Sequence, residues 1–173
     1  SGIGALVLID LDEICISNTN RQLHALRDTV GKSKAQVLAA RVAEINPECQ
    51  VVAREEWVLA DNALELLRAE QSTAEANGQQ LALLDAVDGY REKAAMVDAA
   101  RELDVHLVIA GAAGGKSDPT AVTIADLTQV SNDALLKRVR QELRKEYGYP
   151  AGQPQHKGSR SSGGKTRKPA AWG

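Results

Sequence analysis

The chain has 173 residues, of which 43% are hydrophobic, but it has no Phe and only 3% aromatic residues. That is enough for one domain whose core is built from Leu, Val, Ile and Ala, a composition that suits strands between helices and argues against an antiparallel sandwich. The net charge of -2 hides an asymmetry: 16 basic and 23 acidic residues up to Glu146 give an acidic body of -7, while Lys157, Arg160, Lys165, Arg167 and Lys168 make the remainder +5.

No apolar run approaches the roughly 20 residues of a membrane helix, and no secretory leader is recognisable. Cys15 and Cys49 form no CxxC pair, which argues against a zinc site. Both read as small buried hydrophobes, and a reducing cytoplasm is the expected setting.

Ala5-Leu-Val-Leu-Ile-Asp10 has the form of a buried parallel strand ending in an acid. The spacing of Val37, Leu38, Val42 and Ile45 predicts a helix over Gly31–Asn46, closed by Asn46-Pro47. Gln50–Arg54 is a second strand. A helix begins at Asp61, the expected N-cap, and Ser72–Gln80 is a polar loop. Leu81–Asp85, Arg91–Leu103 and His106–Ala110 repeat the strand-helix-strand order, and Thr120–Ile124 reads as one more strand. Asn132–Tyr147 is a charged amphipathic helix with a stripe of Leu135, Leu136, Val139 and Leu143. Such alternation implies an α/β, doubly wound, mainly parallel Rossmann-like sheet spanning residues 1–147. From Gly148 to Gly173 the composition turns to Gly, Pro, Ser, Lys and Arg, which cannot bury enough apolar surface to offset ordering entropy. A basic, flexible segment is expected there.

Two glycine motifs are decoys. Gly114-Gly115-Lys116-Ser117 ends like a P-loop, but the required upstream Gly is Ala110 and Pro119 blocks the following helix. A tight connection near a ligand remains plausible there. Ser1-Gly2-Ile3-Gly4 lacks the third Gly of a dinucleotide fingerprint, since position 7 is Val. Asp10 is more informative: an acid ending the second strand of a doubly wound sheet binds ribose hydroxyls, although a turn role fits equally well. Arg21, in Asn18-Thr-Asn-Arg-Gln22, offers a planar fork of donors for phosphate oxygens, and Lys34 starts the next helix, where anions are favoured. By spacing alone, both also fit solvated surface cations. Asp85 and Asp88 at the end of the middle strand have the chemistry to hold Mg²⁺ against a triphosphate, or to serve as a cap and a buried acceptor.

Together, the string LIDLDEICISNTNRQLHALRDTVGKSKAQVLAARVAEINPEC resembles the family of ubiquitin-like-protein activating enzymes and their bacterial relatives, which includes the molybdopterin and thiamine adenylyltransferases. Asn18, Arg21 and Gln22 match its N-x-x-R-Q element, and Val30, Gly31 and Lys34 its VGxxK. DAVDGYREKAAMV and AGAAGGKSDPTAVTIADL look specific to the tRNA threonylcarbamoyladenosine dehydratase branch. The resemblance covers roughly Gly2–Gly148.

The resemblance implies ATP and Mg²⁺ as cofactors. Asp10 would bind the ribose; Asn18, Arg21 and Lys34 the phosphates, supported by Gln22; and Asp88 the Mg²⁺. Arg21, Lys34 and Asp88 would be the catalytic set, and Gly111, Gly114 and Gly115 a substrate-side loop. The implied reaction activates the threonylcarbamoyl carboxylate on tRNA as an acyl-adenylate, which then closes to a cyclic product. The implied partners are tRNA, a second copy in a homodimer, and a sulfur-transfer protein. Because the acidic body argues against a broad basic face, tRNA would be held by local clusters, Lys137, Arg138, Arg140, Arg144 and Lys145, and by the tail from Lys157 to Lys168. The family's first strand and glycine loop precede the part seen here and its later elements follow it, so the 173 residues read as truncated at both ends and inactive alone.

Three other functions compete. An adenylyltransferase for a ubiquitin-like sulfur carrier should carry a CxxC pair after Ile124, where the chain instead has a charged helix. A non-catalytic scaffold subunit should lack Arg21, Lys34 and Asp88. An NAD-dependent oxidoreductase gives Arg21 and Lys34 no role.

Overall fold

The computed structural model describes residues 3–151. The chain divides into two compact units, Ser1–Val58 and Leu59–Gly173. Each contains one parallel pair of strands, covered by one helix in the first unit and by more than one in the second.

In the first unit, β1 (Ala5–Ile9) and β2 (Gln50–Arg54) pair in parallel, from Ala5 opposite Gln50 to Ile9 opposite Arg54. α1 (Lys34–Ile45) joins them, as a parallel pair requires. It starts three residues later than its apolar spacing predicts because Gly31 takes a φ of +83° and Ser33 is the N-cap, its Oγ accepting from the Gln36 N–H. α1 packs on both strands through a face that includes the fully buried Ala35. Ile45, expected in its apolar stripe, is 74% exposed at the last turn, and Val52 on β2 is also exposed. β1 is only half-buried, where burial on both faces was expected. With two strands and one covering helix, this unit shields one face of its sheet.

The second unit runs α2 (Ala63–Ala76), β3 (Ala82–Asp85), α3 (Tyr90–Glu102), β4 (His106–Ile109) and α4 (Ala134–Glu146). β3 and β4 are parallel, from Ala82 opposite His106 to Asp85 opposite Ile109. Leu84 and Val108 are exposed while Leu83, Leu107 and Ile109 turn inward, the period-2 alternation of a sheet covered on one face.

α3 is the centre of this unit. Ala94, Ala95, Ala99 and Ala100 are all buried, and such small side chains let neighbouring helices approach closely. One side of α3 packs with Leu136, Val139 and Leu143 of α4, so the stripe predicted for that helix is its buried face. The other packs with Leu67 of α2 and with Val105.

Five expectations are corrected here. α2 is capped at Asn62, not Asp61, and continues through Ser72 to Ala76; its Leu67 packs in the core, and the Thr73 hydroxyl finds its partner in the Ala69 carbonyl one turn back. Thr120–Ile124 is not a strand: Pro119–Ala121 is a 3₁₀ turn capped by Asp118, and Val122 and Ile124 are 81% and 96% exposed with no strand beside them among the described residues. Cys15 is exposed, since it sits at the entry of the 3₁₀ turn Ile16–Asn18; Cys49 is buried as expected. The packed body also reaches two residues beyond Tyr147. Gly148, at φ +68°, turns the chain so that Tyr149 buries its ring in the α3–α4 core and donates its N–H to Leu143 O at 3.1 Å. The expected flexible tail, from residue 152 onward, lies outside the described residues. No helix among them is long and apolar enough to cross a membrane.

Burial, and then the neighbouring Asp98 carboxylate, push the Tyr149 phenol up to about 12. The ordinary phenol pKa is near 10, so the unfolded chain loses this proton first. The contribution of Tyr149 is fully present below pH 10 and is lost as pH rises from 10 to about 12. Urea unfolding at a series of pH values from neutral to strongly alkaline should show this loss in the native chain, and Tyr149→Phe should remove it.

Candidate functional site

The loop between β1 and α1 carries Asp10, Asn18, Arg21 and Gln22, with Lys34 the first residue of α1 beyond it, and its base is closed by main-chain bonds. Lys34 N–H donates to Asp12 O at 3.0 Å, Ile14 N–H to Lys32 O at 2.8 Å, and Gly31 N–H to Ile14 O at 2.8 Å. Glu13 and Ser33 form an antiparallel bridge, and Ile14, 1% exposed, anchors the closure. This brings Lys34 to the end of β1. Its Nζ lies 2.6 Å from Asp12 Oδ2, with the lysine side chain 14% exposed. Asp10 extends the strand pairing through its N–H to Arg54 O, and its Oδ1 accepts from the Asp12 N–H at 2.8 Å.

Asn18 organises the outer part of the loop. It is buried, its Oδ1 accepts from Cys15 N–H at 3.0 Å, and its carbonyl accepts from the N–H groups of Arg21 and Gln22. Its side-chain oxygen is thus engaged within the loop. Arg21 is exposed; Nη1 donates to Ser17 O at 2.8 Å and Asn20 Oδ1 at 3.0 Å, so one nitrogen of the fork is held within the loop. Gln22 Oε1 and His24 Nε2 are buried and have no hydrogen-bond partner among the described residues. Unpaired polar atoms of this kind are costly, and a bound polar ligand is one way to satisfy them.

In the second unit, the end of β3 holds a buried ion pair that spacing did not reveal. Lys93 Nζ lies 2.9 Å from Asp85 Oδ1, both side chains are 0% exposed, and the ammonium also reaches Asp85 O at 3.3 Å. Asp85 Oδ1 accepts from Val87 N–H at 2.8 Å, which shapes the turn leading to Asp88. Asp85 is thus a buried acceptor, not a metal ligand, while Asp88 is exposed in the turn. Among the described residues, no group of three or more His, Cys, Asp and Glu could hold a metal ion. One carboxylate still fits Mg²⁺, which commonly takes most of its oxygens from phosphate and water.

The glycine-rich connection after β4 is tied down by Asp133, the N-cap of α4, which the sequence reading did not single out. Its Oδ1 accepts from Leu136 N–H at 2.9 Å, and its Oδ2 from Ala112 N–H at 3.0 Å and Lys116 Nζ at 2.8 Å. Burial alone would raise the carboxyl pKa, but these bonds together hold it below the ordinary value. Gly111 has an internal reason to be glycine: a Cβ there would lie 2.5 Å from Asp133 Oδ2. Gly114 and Gly115 face open space, and Gly115 has φ +75°.

Against known proteins, the sequence model of the ThiF family matches residues 1–151. The chain is 40% identical to the tRNA threonylcarbamoyladenosine dehydratase of Escherichia coli K12 over 148 residues, 86% of this chain and 52% of that protein. Crystal structures of the E. coli tRNA N6-threonylcarbamoyladenosine dehydratase with AMP and with ATP both align at a TM-score of 0.76 and 41% identity. They cover 85% of this chain, and 56% and 57% of theirs. The chain spans about half the length of the curated relatives it matches.

Removing one partner of a buried ion pair strands the other in a medium that cannot solvate it. Lys93→Met should therefore cost about 3–5 kcal/mol in urea unfolding, and Asp85→Leu/Lys93→Met much less. A Lys93→Met loss below 1 kcal/mol would show that water reaches the pair.

Proposed function

This chain belongs to the ThiF family, and from that premise we propose that it is the nucleotide-binding core of an ATP-dependent tRNA threonylcarbamoyladenosine dehydratase. The observation that carries the reading is the likeness to the E. coli dehydratase, solved with ATP and with AMP, over 85% of this chain. The closed β1–α1 loop supports it, because it holds Lys34 at the strand end and leaves Gln22 Oε1 without a partner.

In this reading ATP is a co-substrate that supplies an adenylyl group. Asp10 receives the ribose hydroxyls through its carboxylate. Arg21 and Lys34 neutralise the phosphates, Lys34 exchanging Asp12 for a phosphate oxygen, and Gln22 contributes its amide. Asn18 acts by holding the turn that presents Arg21 and Gln22. Asp88 binds Mg²⁺ with triphosphate oxygens. The threonylcarbamoyl carboxylate attacks the α-phosphorus and pyrophosphate leaves. The neighbouring carbamoyl oxygen then attacks the activated carbonyl, AMP departs, and loss of the carbamoyl N–H proton completes the ring. Such chemistry needs positioned cations more than a protein nucleophile.

Gly114 and Gly115 face the modified nucleoside. A homodimer fits the exposed Ile16, Leu23 and Leu26 on the β1–α1 loop, and a tRNA substrate places the enzyme in the cytoplasm. A sulfur-transfer protein is a further partner.

The deciding assay follows AMP release by the full-length protein with modified tRNA, unmodified tRNA and a ubiquitin-like carrier side by side. Release is expected with modified tRNA alone; release driven by the carrier would replace this reading with sulfur-carrier adenylation. Arg21→Ala and Lys34→Ala should each lower the rate about 10²–10³-fold with much smaller changes in ATP affinity. Asp88→Asn should raise the Mg²⁺ concentration needed for half-maximal rate.

A further inference from the structure

Along α4, Lys137, Arg138, Gln141, Arg144 and Lys145 fall within one third of the helix circumference, and all five are exposed. The acids of the helix, Glu142 and Glu146, lie on the adjoining stripe, so no carboxylate interrupts the basic one. From Lys137 to Lys145 the helix rises about 12 Å, which spans several successive phosphates of a nucleic-acid strand. Arg140 does not belong to this face: it is half-buried, and its Nη1 donates to Leu127 O at 3.1 Å.

A second feature borders the stripe. The half-buried ring of Tyr90, first residue of α3, has the Arg138 guanidinium 5.8 Å and the Arg91 guanidinium 5.6 Å from its centroid. Tyr90, Arg138, Gln141, Glu142 and Lys145 line an open depression of about 430 Å³. Glu142 is mostly buried and faces Arg91 Nε at 3.8 Å. The ion pair of Lys145 with Glu146 is exposed, and such pairs are weak enough for Lys145 to change partner.

We infer that this surface docks a single-stranded part of the RNA, with phosphates along Lys137, Arg138, Arg144 and Lys145 and an unpaired base against Tyr90. The inference rests on tRNA being the substrate, and adds where the RNA is held. One observation makes a local patch necessary for any polyanion, and a second favours RNA over an acidic peptide or an anionic membrane. The acidic body repels a polyanion elsewhere, so a local patch has to carry it. An aromatic ring beside two guanidinium groups offers the kind of platform on which unpaired bases stack, which the other partners do not need.

The test uses the full-length protein with tRNA bearing threonylcarbamoyladenosine, titrated between about 50 and 200 mM salt, with heparin as a polyanion lacking bases. Arg138→Glu/Lys145→Glu should weaken tRNA binding at least about tenfold and lower the slope of log affinity against log salt by about 1–2, with ATP binding unchanged. Tyr90→Leu should weaken tRNA binding about tenfold while sparing heparin, and Tyr90→Phe should bind as wild type. Wild-type affinity and slope in the charge-reversed variant would overturn the inference alone, provided the wild-type protein releases AMP with modified tRNA. Equal loss of tRNA and heparin in Tyr90→Leu would overturn the stacking role. A wild-type protein that binds no tRNA would bring down the proposed function together with this surface.

Discussion

In the second unit, the conformation around the end of β3 depends on the contact between Lys93 and Asp85. Neither side chain has solvent contact, so each charge is tolerable only because the other is there. The pair joins the first turn of a tightly packed, alanine-rich helix to the last residue of the strand before it. Because Asp85 Oδ1 also accepts from Val87 N–H, one carboxylate sets both the docking of α3 and the path of the turn that carries Asp88. A charge that holds two elements in register cannot also be a labile metal ligand, which leaves the exposed Asp88 as the group available in that turn.

The same economy recurs in the glycine-rich connection. Asp133 caps α4, accepts from Ala112 N–H and binds Lys116, and so fastens the loop after β4 to the start of the last helix. In the first unit the closure is made by main-chain bonds between residues 12–14 and 31–34, and the Lys34–Asp12 pair lies beside it. In each case a loop bearing candidate functional groups is held at its base, while Arg21, Asp88 and Gly114 stay outside the packed structure. Rigid support beneath open polar groups is what adenylyl transfer requires, since its rate depends on cations already in position when charge develops.

Charge is distributed to match. The acidic body would keep a polyanion at a distance, and the basic residues of α4 form an uninterrupted stripe only because helical geometry moves Glu142 and Glu146 to the next row. In the linear sequence two acids are interspersed among these basic residues, and only helical geometry places the two sets in separate rows.

Much was legible from the residues alone. β2 matches its predicted bounds, and the other three strands and all four helices lie within a few residues of theirs, or further at the end of α2, because apolar periodicity and caps are local properties. The Asn18–Gln22 and Gly31–Lys34 elements fall on one connection that the structure closes at its base. What the sequence could not supply is the pairing. Lys93 looks like any helical lysine, and Asp133 like any cap; only the packed structure places one against Asp85 and the other against Lys116. Thr120–Ile124 failed as a strand for the related reason that β-branched residues make a strand only where another edge accepts their hydrogen bonds. Local sequence determined which elements form and where they begin and end. Tertiary structure decided which charges are buried together, because the cost of an unpaired charge depends on everything that surrounds it.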